Sequence, residues 1–179
     1  MTRKYAVYVM KTCAFTGHRP KGLGYPESDG RCAALKEKLR SLIIRMIEEE
    51  GVTHFISGMA QGVDMYAAEI VLDLKQTYPY ITLECAIPYE EQAAHWSAAL
   101  RNRYFSIAER CDQETMLQTH YTQDCLWKRN QYMVDHADIV LAVCNMRLHS
   151  GSTQTVLMAR RRLKPVWLVF PDTLELYVI

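Results

Sequence analysis

The stretch Ile56-Ser57-Gly58-Met59-Ala60-Gln61-Gly62-Val63-Asp64 decides the fold. A short β-type run over residues 53–56 leads into it. An apolar stripe at helical spacing follows it, formed by Val63, Ala67, Ile70, Val71 and Leu74. A strand that ends at Ser57-Gly58 and continues as a helix points the free N–H groups of the helix into the turn, where glycines let a ligand approach the backbone. The stretch therefore predicts a strand–turn–helix unit with a ligand at its turn.

The composition is that of one soluble globular domain over residues 1–179, with 49% hydrophobic and 23% charged residues. The net charge of +1 provides no global field that would recruit nucleic acid. No apolar run reaches membrane length, and the short apolar segment near the N-terminus is interrupted by Lys11, which favours a buried strand over a signal peptide. We expect a cytoplasmic protein with no membrane partner.

Strand patterns alternate with helix patterns along the chain. Strands are predicted at residues 5–15, with an irregularity at Lys11-Thr12, and at residues 53–56, 81–87, 115–119, 137–144 and 165–170. Helices are predicted between them: a long one ended by Gly51, one over residues 63–77, one from Glu90 onward, one opening near Asp124 and one through Val156. This alternation predicts an α/β fold with an open, mainly parallel sheet and helices on both faces.

Two of these helices are predicted together with their packing residues. The long helix has one apolar stripe, formed by Cys32, Leu35, Leu39, Leu42, Ile43, Met46 and Ile47. The helix from Glu90 onward is expected to pack through Ala93, Ala94, Trp96, Leu100, Tyr104 and Ile107. Both stripes predict amphipathic helices that lie against the sheet.

Polar and glycine-bearing loops follow four of the strands, at residues 16–19, 57–64, 88–89 and 145–153. Ligands of open parallel sheets bind outside the carboxyl ends of the strands, so these loops predict one common site. The helix N-termini after Gly62 and after residues 151–153 are candidate anion sites, and Arg19 adds a guanidinium that can hold a phosphate or a carboxylate. Ser57 and Gln61 add side-chain donors, and Asp64 lies where it can meet a ribose hydroxyl.

The sequence does not define a reaction. A G-x-G-x-x-G motif after a strand, a P-loop and a G-x-S-x-G elbow are all absent, and neither the cysteines nor the histidines have metal-ligand spacing. Ser57 and Ser152 are candidate nucleophiles only if a histidine reaches them. His18 is as compatible with capping of backbone groups as with a site, and Arg129 and Asn130 lie in a helix, where a solvated face is the default.

Four motifs in order give the chain a family resemblance: Thr16-Gly17-His18-Arg19-Pro20, Ser57-Gly58-Met59-Ala60-Gln61-Gly62-Val63-Asp64, Trp127-Lys128-Arg129-Asn130 and Ser150-Gly151-Ser152-Thr153. With them the chain resembles the DUF1273/YpsA-like branch of the SLOG superfamily, which is related to DprA (Smf) and to the LOG phosphoribohydrolases. The resemblance covers nearly the whole chain and implies a single Rossmann-like domain.

The resemblance also implies a nucleotide or an ADP-ribose- or NAD-like ligand, with no cofactor or metal certain. By motif match, the implied ligand-binding residues are Gly17, His18, Arg19, Ser57, Gly58, Gln61, Gly62, Asp64, Arg129, Asn130, Gly151, Ser152 and Thr153. A homodimer is plausible by the same analogy.

Departures from the related families leave three functions open. The LOG enzymes carry a catalytic glutamate in a P-G-G-x-G-T-x-x-E motif, and here Val156 occupies the corresponding position. The leading hypothesis is therefore a nucleotide-ligand binding or sensing protein, and the alternative is a hydrolase of an N-glycosidic or phosphate-ester bond with Asp64 as acid or base. DprA-like binding of single-stranded DNA is a further alternative, which the neutral net charge disfavours even though Tyr89, Trp96 and Trp127 are available for stacking.

Overall fold

The protein is described from a computed structural model, which covers residues 10–147 and 149–179. Within these ranges, seven strands form one sheet in the order β4-β3-β2-β1-β5-β6-β7. Their bounds are β1 Lys11–Gly17, β2 Val52–Ser57, β3 Thr82–Ile87, β4 Gln113–Met116, β5 Ile139–Val143, β6 Val166–Val169 and β7 Leu176–Val178. All neighbouring strands pair in parallel except β6 and β7, so the prediction of an open, mainly parallel α/β sheet is confirmed.

The helices cover both faces of this sheet. Their bounds are α1 Pro20–Leu23, α2 Gly30–Glu48, α3 Val63–Leu74, α4 Ala98–Ala108, α5 Cys125–His136 and α6 Gly151–Arg161. Buried residues of α2, α3 and α4 share one apolar cluster with Cys13 and Phe15 of β1. Those of α5 and α6 share a second cluster with Ala14 of the same strand. Alternate residues of β1 thus enter opposite cores, as the period of a strand requires.

The order of the strands creates a switch point beside β1. The chain adds β2, β3 and β4 on one side of β1 and then returns to place β5 on the other side. The connections after β1 and β5 therefore diverge over opposite faces and leave a crevice at the carboxyl ends of the two strands, which is where ligands of such sheets bind.

Several local predictions are confirmed. The seven predicted stripe residues of α2 are all buried, and the carboxylate of Asp29 caps the helix by accepting from the N–H of Arg31 at 2.8 Å. The pairing of β1 with β2 shifts register between Lys11 and Thr12, where an irregularity was expected. Residues 5–9 of the predicted first strand lie outside the described residues.

The region after β3 differs from the prediction. Residues 90–96 form a series of turns, and α4 begins only at Ala98 because Ser97 is its N-cap and accepts from the N–H of Leu100. Ala94 is consequently exposed, whereas Ala93, Tyr104 and Ile107 are buried as predicted. The side chain of Gln92 contributes to this departure, since it is bonded to the backbone of the turn after β2.

Three further predictions about the strands and helices were wrong. β4 spans Gln113–Met116 instead of residues 115–119, because only that part pairs with β3. α3 ends at Leu74, and residues 75–77 continue as turns. The sheet does not end at β6, since the three-residue strand β7 pairs antiparallel with it. None of the helices in the described ranges is long and apolar enough to cross a membrane.

Candidate functional site

A cleft of about 330 Å³ lies at the switch point. It is lined from β1 and the loop after it, from the turn before α3, from α5 and from the start of α6. The lining residues are Thr16, Gly17, His18, Arg19, Gly22, Ala60, Asp64, Leu126, Arg129, Asn130, Ser150, Gly151 and Ser152. Its volume lies at the small end of the range that is typical of ligand sites, about 300–1,000 Å³. The loops after β1, β2 and β5 therefore meet where the topology directs them.

The start of α6 forms the polar wall of this cleft. Ser150 is the N-cap, and its hydroxyl accepts from the N–H of Thr153 at 3.1 Å. The remaining N–H groups of the first helical turn have no partner within the helix, and the first turn contains no acidic residue. A Cβ atom added to Gly151 would meet nothing within 4 Å. This helix end is open and carries the positive end of the helix dipole.

Arg19 lies on the other side of the cleft, as the N-cap residue of the one-turn helix α1. It is exposed, and among the described residues its guanidinium makes no hydrogen bond or ion pair. A guanidinium offers five donors in a planar fork. Arg19 is thus a positive charge at the cleft that no described group pairs directly, although the charge of Asp64 acts on it from within the same cleft.

His18 connects the two halves of the cleft. Its backbone N–H donates to the carbonyl of Val143 at 3.0 Å, which extends the pairing of β1 with β5. Its ring lies 3.2 Å from the hydroxyl of Ser152 through Nδ1 and 2.9 Å from Oδ1 of Asn145 through Nε2. A histidine therefore reaches Ser152, the condition that sequence analysis set for this serine. The ring also fixes the loop after β1 to the start of α6.

Asp64 and Arg129 form a buried pair at the floor of the cleft. Their side chains are only 7% and 6% exposed, and Nη1 of Arg129 lies 4.0 Å from Oδ2 of Asp64. Burial raises the pKa of Asp64 to about 6, although the charge of Arg129 opposes this shift. Burial likewise lowers the pKa of Arg129, opposed by Asp64. The solvated helix face that is the default for Arg129 is thus wrong, because the side chain is buried beside Asp64.

The turn before α3 is filled by the protein itself. Arg129 donates to the carbonyl oxygen of Gly58, and its guanidinium fills the space that a Cβ on Gly58 would need. The N–H of Val63, the first residue of α3, donates to the carbonyl of His18 at 3.3 Å. A Cβ added to Gly62 would lie 2.6 Å from that same carbonyl oxygen. These glycines allow the close packing of β1, α3 and α5.

Ser57 supports the same turn through its hydroxyl. This hydroxyl donates to the carbonyl of Asp64 at 2.9 Å and accepts from the N–H of Met59 at 3.2 Å. Ser57 is completely buried. Among the described residues no histidine is hydrogen-bonded to it, so Ser57 lacks the base that sequence analysis required of a nucleophile.

Eight of the thirteen residues implied by the family resemblance line the cleft: Gly17, His18, Arg19, Asp64, Arg129, Asn130, Gly151 and Ser152. Gln61 lies instead in a neighbouring cavity, together with Arg19. Ser57, Gly58, Gly62 and Thr153 lie behind the walls of the cleft, in the turns that hold its shape. Sequence reasoning missed Leu126 and Gln92, because no motif or periodicity distinguishes either residue.

Comparison with known proteins identifies a family and individual relatives to which this chain is similar. Residues 13–165 match the YpsA family, described as the YspA SLOG family. A UPF0398 protein of Halalkalibacterium halodurans is 30% identical over 93% of this chain and 91% of its own length. The UPF0398 protein YpsA of Bacillus subtilis is 27% identical over 94% of this chain and 97% of its own length.

A solved structure of DNA processing protein A from Helicobacter pylori, described for its single-stranded DNA binding mode, has a TM-score of 0.58. It is 20% identical and covers 89% of this chain, and the present chain spans 65% of its length. That similarity shows a shared fold. The crevice at the switch point defines a Rossmann-like α/β protein, and the match over residues 13–165 shows that the chain belongs to the YpsA SLOG family.

Proposed function

We propose that the protein binds a phosphate-bearing nucleotide or nucleotide derivative in the cleft between β1 and β5, as a cytoplasmic binding or sensing protein. The observation that carries the proposal is that two positive groups line one cleft, the start of α6 and the guanidinium of Arg19. A phosphate between them would accept from backbone N–H groups and from the arginine fork. ADP-ribose, NAD and nucleoside monophosphates all present such a phosphate.

The role of Arg19 is tested by its removal. Arg19→Ala should weaken the binding of a nucleotide by about 1.5–3 kcal/mol, the contribution of a hydrogen bond to a charged group. Arg110→Ala is the matched control, because it removes the same charge from an exposed arginine. Arg110 lies between α4 and β4, at the amino ends of the strands, whereas the cleft lies at their carboxyl ends. Equal affinities in wild type and Arg19→Ala would remove the guanidinium from the site.

The ligand class is tested by thermal shift of the wild-type chain against ADP-ribose, NAD and nucleoside monophosphates. A ligand at a hundred times its dissociation constant adds about 2.7 kcal/mol to the free energy of unfolding. For a chain of this length that corresponds to an increase in the melting temperature of about 5–10 °C. If none of these compounds raised the melting temperature, the proposal would be contradicted.

Hydrolysis of a nucleotide is the second candidate function, and the geometry of Asp64 favours it. A buried carboxyl group with a pKa near 6, placed at the floor of a cleft, is suited to transfer a proton near neutral pH. Ser152 adds a hydroxyl that lies 3.2 Å from Nδ1 of His18, and this nitrogen can act as a base in the tautomer that carries the ring proton on Nε2. Release of a free base or a ribose phosphate by wild type, lost in Asp64→Asn or in Ser152→Ala, would establish hydrolysis and identify the group responsible.

Binding of single-stranded DNA is the competing function, because the solved structure of DNA processing protein A is described for that activity. It would require affinity for single-stranded DNA that falls steeply with salt.

A homodimer, expected by family analogy, would appear as a doubled mass in light scattering.

A further inference from the structure

A second cavity of about 220 Å³ adjoins the cleft. Its lining consists of Arg19, Gln61, Tyr89, Gln92, Trp96 and Leu126. Arg19 and Leu126 line both cavities, so the two are neighbours around these side chains. A ligand with its phosphate in the cleft can therefore place a second group here.

Gln92 lines this cavity and carries a buried amide oxygen. It is 9% exposed, and its Nε2 donates to the carbonyl oxygens of Met59 at 3.0 Å and of Gly58 at 3.3 Å. These two carbonyls fix the orientation of the amide. If the amide were flipped, Oε1 would face both carbonyl oxygens and be repelled by them. Oε1 of Gln92 is buried and has no hydrogen-bond partner among the described residues. Buried acceptors are seldom left unpaired, so this atom calls for a donor.

Two aromatic rings line the same cavity. Trp96 packs edge-to-face against Tyr104, with 5.6 Å between the ring centroids, and Tyr104 is itself buried. Tyr89 packs in the same way against Tyr121, at 5.4 Å. Each ring thus contacts a neighbouring aromatic residue, and rings in the wall of a cavity are platforms on which the flat face of a base can stack.

We propose that this second cavity is the base subsite of the nucleotide site, and that it selects bases with an exocyclic amine, such as adenine and cytosine. Oε1 of Gln92 accepts from that amine while Trp96 and Tyr89 contact the ring. Hypoxanthine and uracil carry a carbonyl oxygen at the corresponding position, and two acceptors facing each other repel. This inference rests on the proposed function, because it assumes that the phosphate of the same ligand lies in the cleft.

The test uses matched ligands, so it does not depend on any variant that fails to fold. Calorimetric titration of the wild-type chain with AMP, IMP, CMP, UMP and ribose 5-phosphate compares the bases directly. AMP should bind about tenfold more tightly than IMP, and CMP about tenfold more tightly than UMP, since one neutral hydrogen bond separates the members of each pair. Equal affinities within both pairs would overturn the base subsite.

Two variants locate the effect. Gln92→Met should lower the affinity for AMP to that for IMP. Trp96→Ala should lower the affinity for AMP about 10- to 100-fold, because stacking is lost. Neither should change the affinity for ribose 5-phosphate, which lacks a base. The exposed neighbour His95, changed to alanine, is the control and should leave every affinity as it is. A loss of ribose 5-phosphate binding equal to the loss of AMP binding in Gln92→Met would assign Gln92 a structural role and overturn the proposal.

The results separate this inference from the proposed function. Binding of ribose 5-phosphate that depends on Arg19, without discrimination within the base pairs, would overturn the base subsite and leave the phosphate site in place. Absence of binding by all five compounds, together with no thermal shift from ADP-ribose or NAD, would overturn the proposed function and the base subsite with it.

Discussion

The start of α3 and the start of α6 are both helix N-termini at the same edge of the sheet, yet they differ in what surrounds them. At α3 the N–H of Val63 is bonded to His18, Asp64 lies in the first turn, and the space beside Gly62 is filled by backbone. At α6 the first turn has no acidic residue and the space beside Gly151 is empty. A helix N-terminus is an anion site only where protein groups have not already used it. The comparison therefore favours an architectural role for the start of α3 and leaves the start of α6 as the proposed anion site.

The largest expected effect is on stability at the start of α3. Gly62 has φ 90°, and an added Cβ would lie 2.6 Å from the carbonyl oxygen of His18. Gly62→Ala combines backbone strain with a steric clash and should lower the free energy of unfolding by about 3 kcal/mol or more, measured by urea denaturation. Gly30→Ala, at the first position of α2 with nothing within 4 Å, should change it by less than about 0.5 kcal/mol. Similar values for the two variants would mean that Gly62 is not needed for packing.

The next effect is on binding at the start of α6. Gly151→Ala places a methyl group in the empty part of the cleft, so it should weaken nucleotide binding by about 1–3 kcal/mol, the usual cost of overpacking. Its unfolding free energy should stay near that of wild type. Gly30→Ala serves again as control, since it also begins a helix but lies outside both cavities. Wild-type affinity in Gly151→Ala would place the phosphate elsewhere.

The smallest effect concerns the buried acid beside α3. The pKa of Asp64 is about 6 in the folded chain against an ordinary 3.8, so its charged form destabilises the fold above pH 6. This destabilisation is relieved as the pH falls through 6 and is absent below the ordinary pKa. Between pH 7 and pH 5, wild type should therefore gain about 1 kcal/mol of stability relative to Asp64→Asn. Parallel curves of unfolding free energy against pH for the two proteins would contradict a raised pKa.

The sequence predicted the layered fold because the strands and helices of the core have strong periodicity. The stripe from Cys32 to Ile47 is a clear example, and all its members are buried. β7 was not predicted, because a strand of three residues is too short to show a hydrophobic periodicity. The convergence of the loops after β1, β2 and β5 was also predictable, since it follows from the topology of a parallel sheet alone.

The parts of the site that could not be predicted depend on contacts between distant segments. The proposed role of Gln92 depends on its bonds to the carbonyls of Gly58 and Met59, more than thirty positions earlier in the chain. The burial of Arg129 depends on its approach to Gly58 across the sheet edge, and only the family motif singled it out. In the same way, the sequence could not show which of the two helix N-termini is open, because a neighbouring loop decides it.

The central claim is tested most directly by NMR titration of the ¹⁵N-labelled chain with ribose 5-phosphate and AMP. Backbone amide signals of Gly151, Ser152 and Arg19 should shift with both compounds, while that of Val63, whose N–H is bonded to His18, should move little. AMP should in addition shift the signals of Gln92 and Trp96. Shifts confined to the start of α3, or signals that do not move at all, would contradict the assignment of the phosphate to α6.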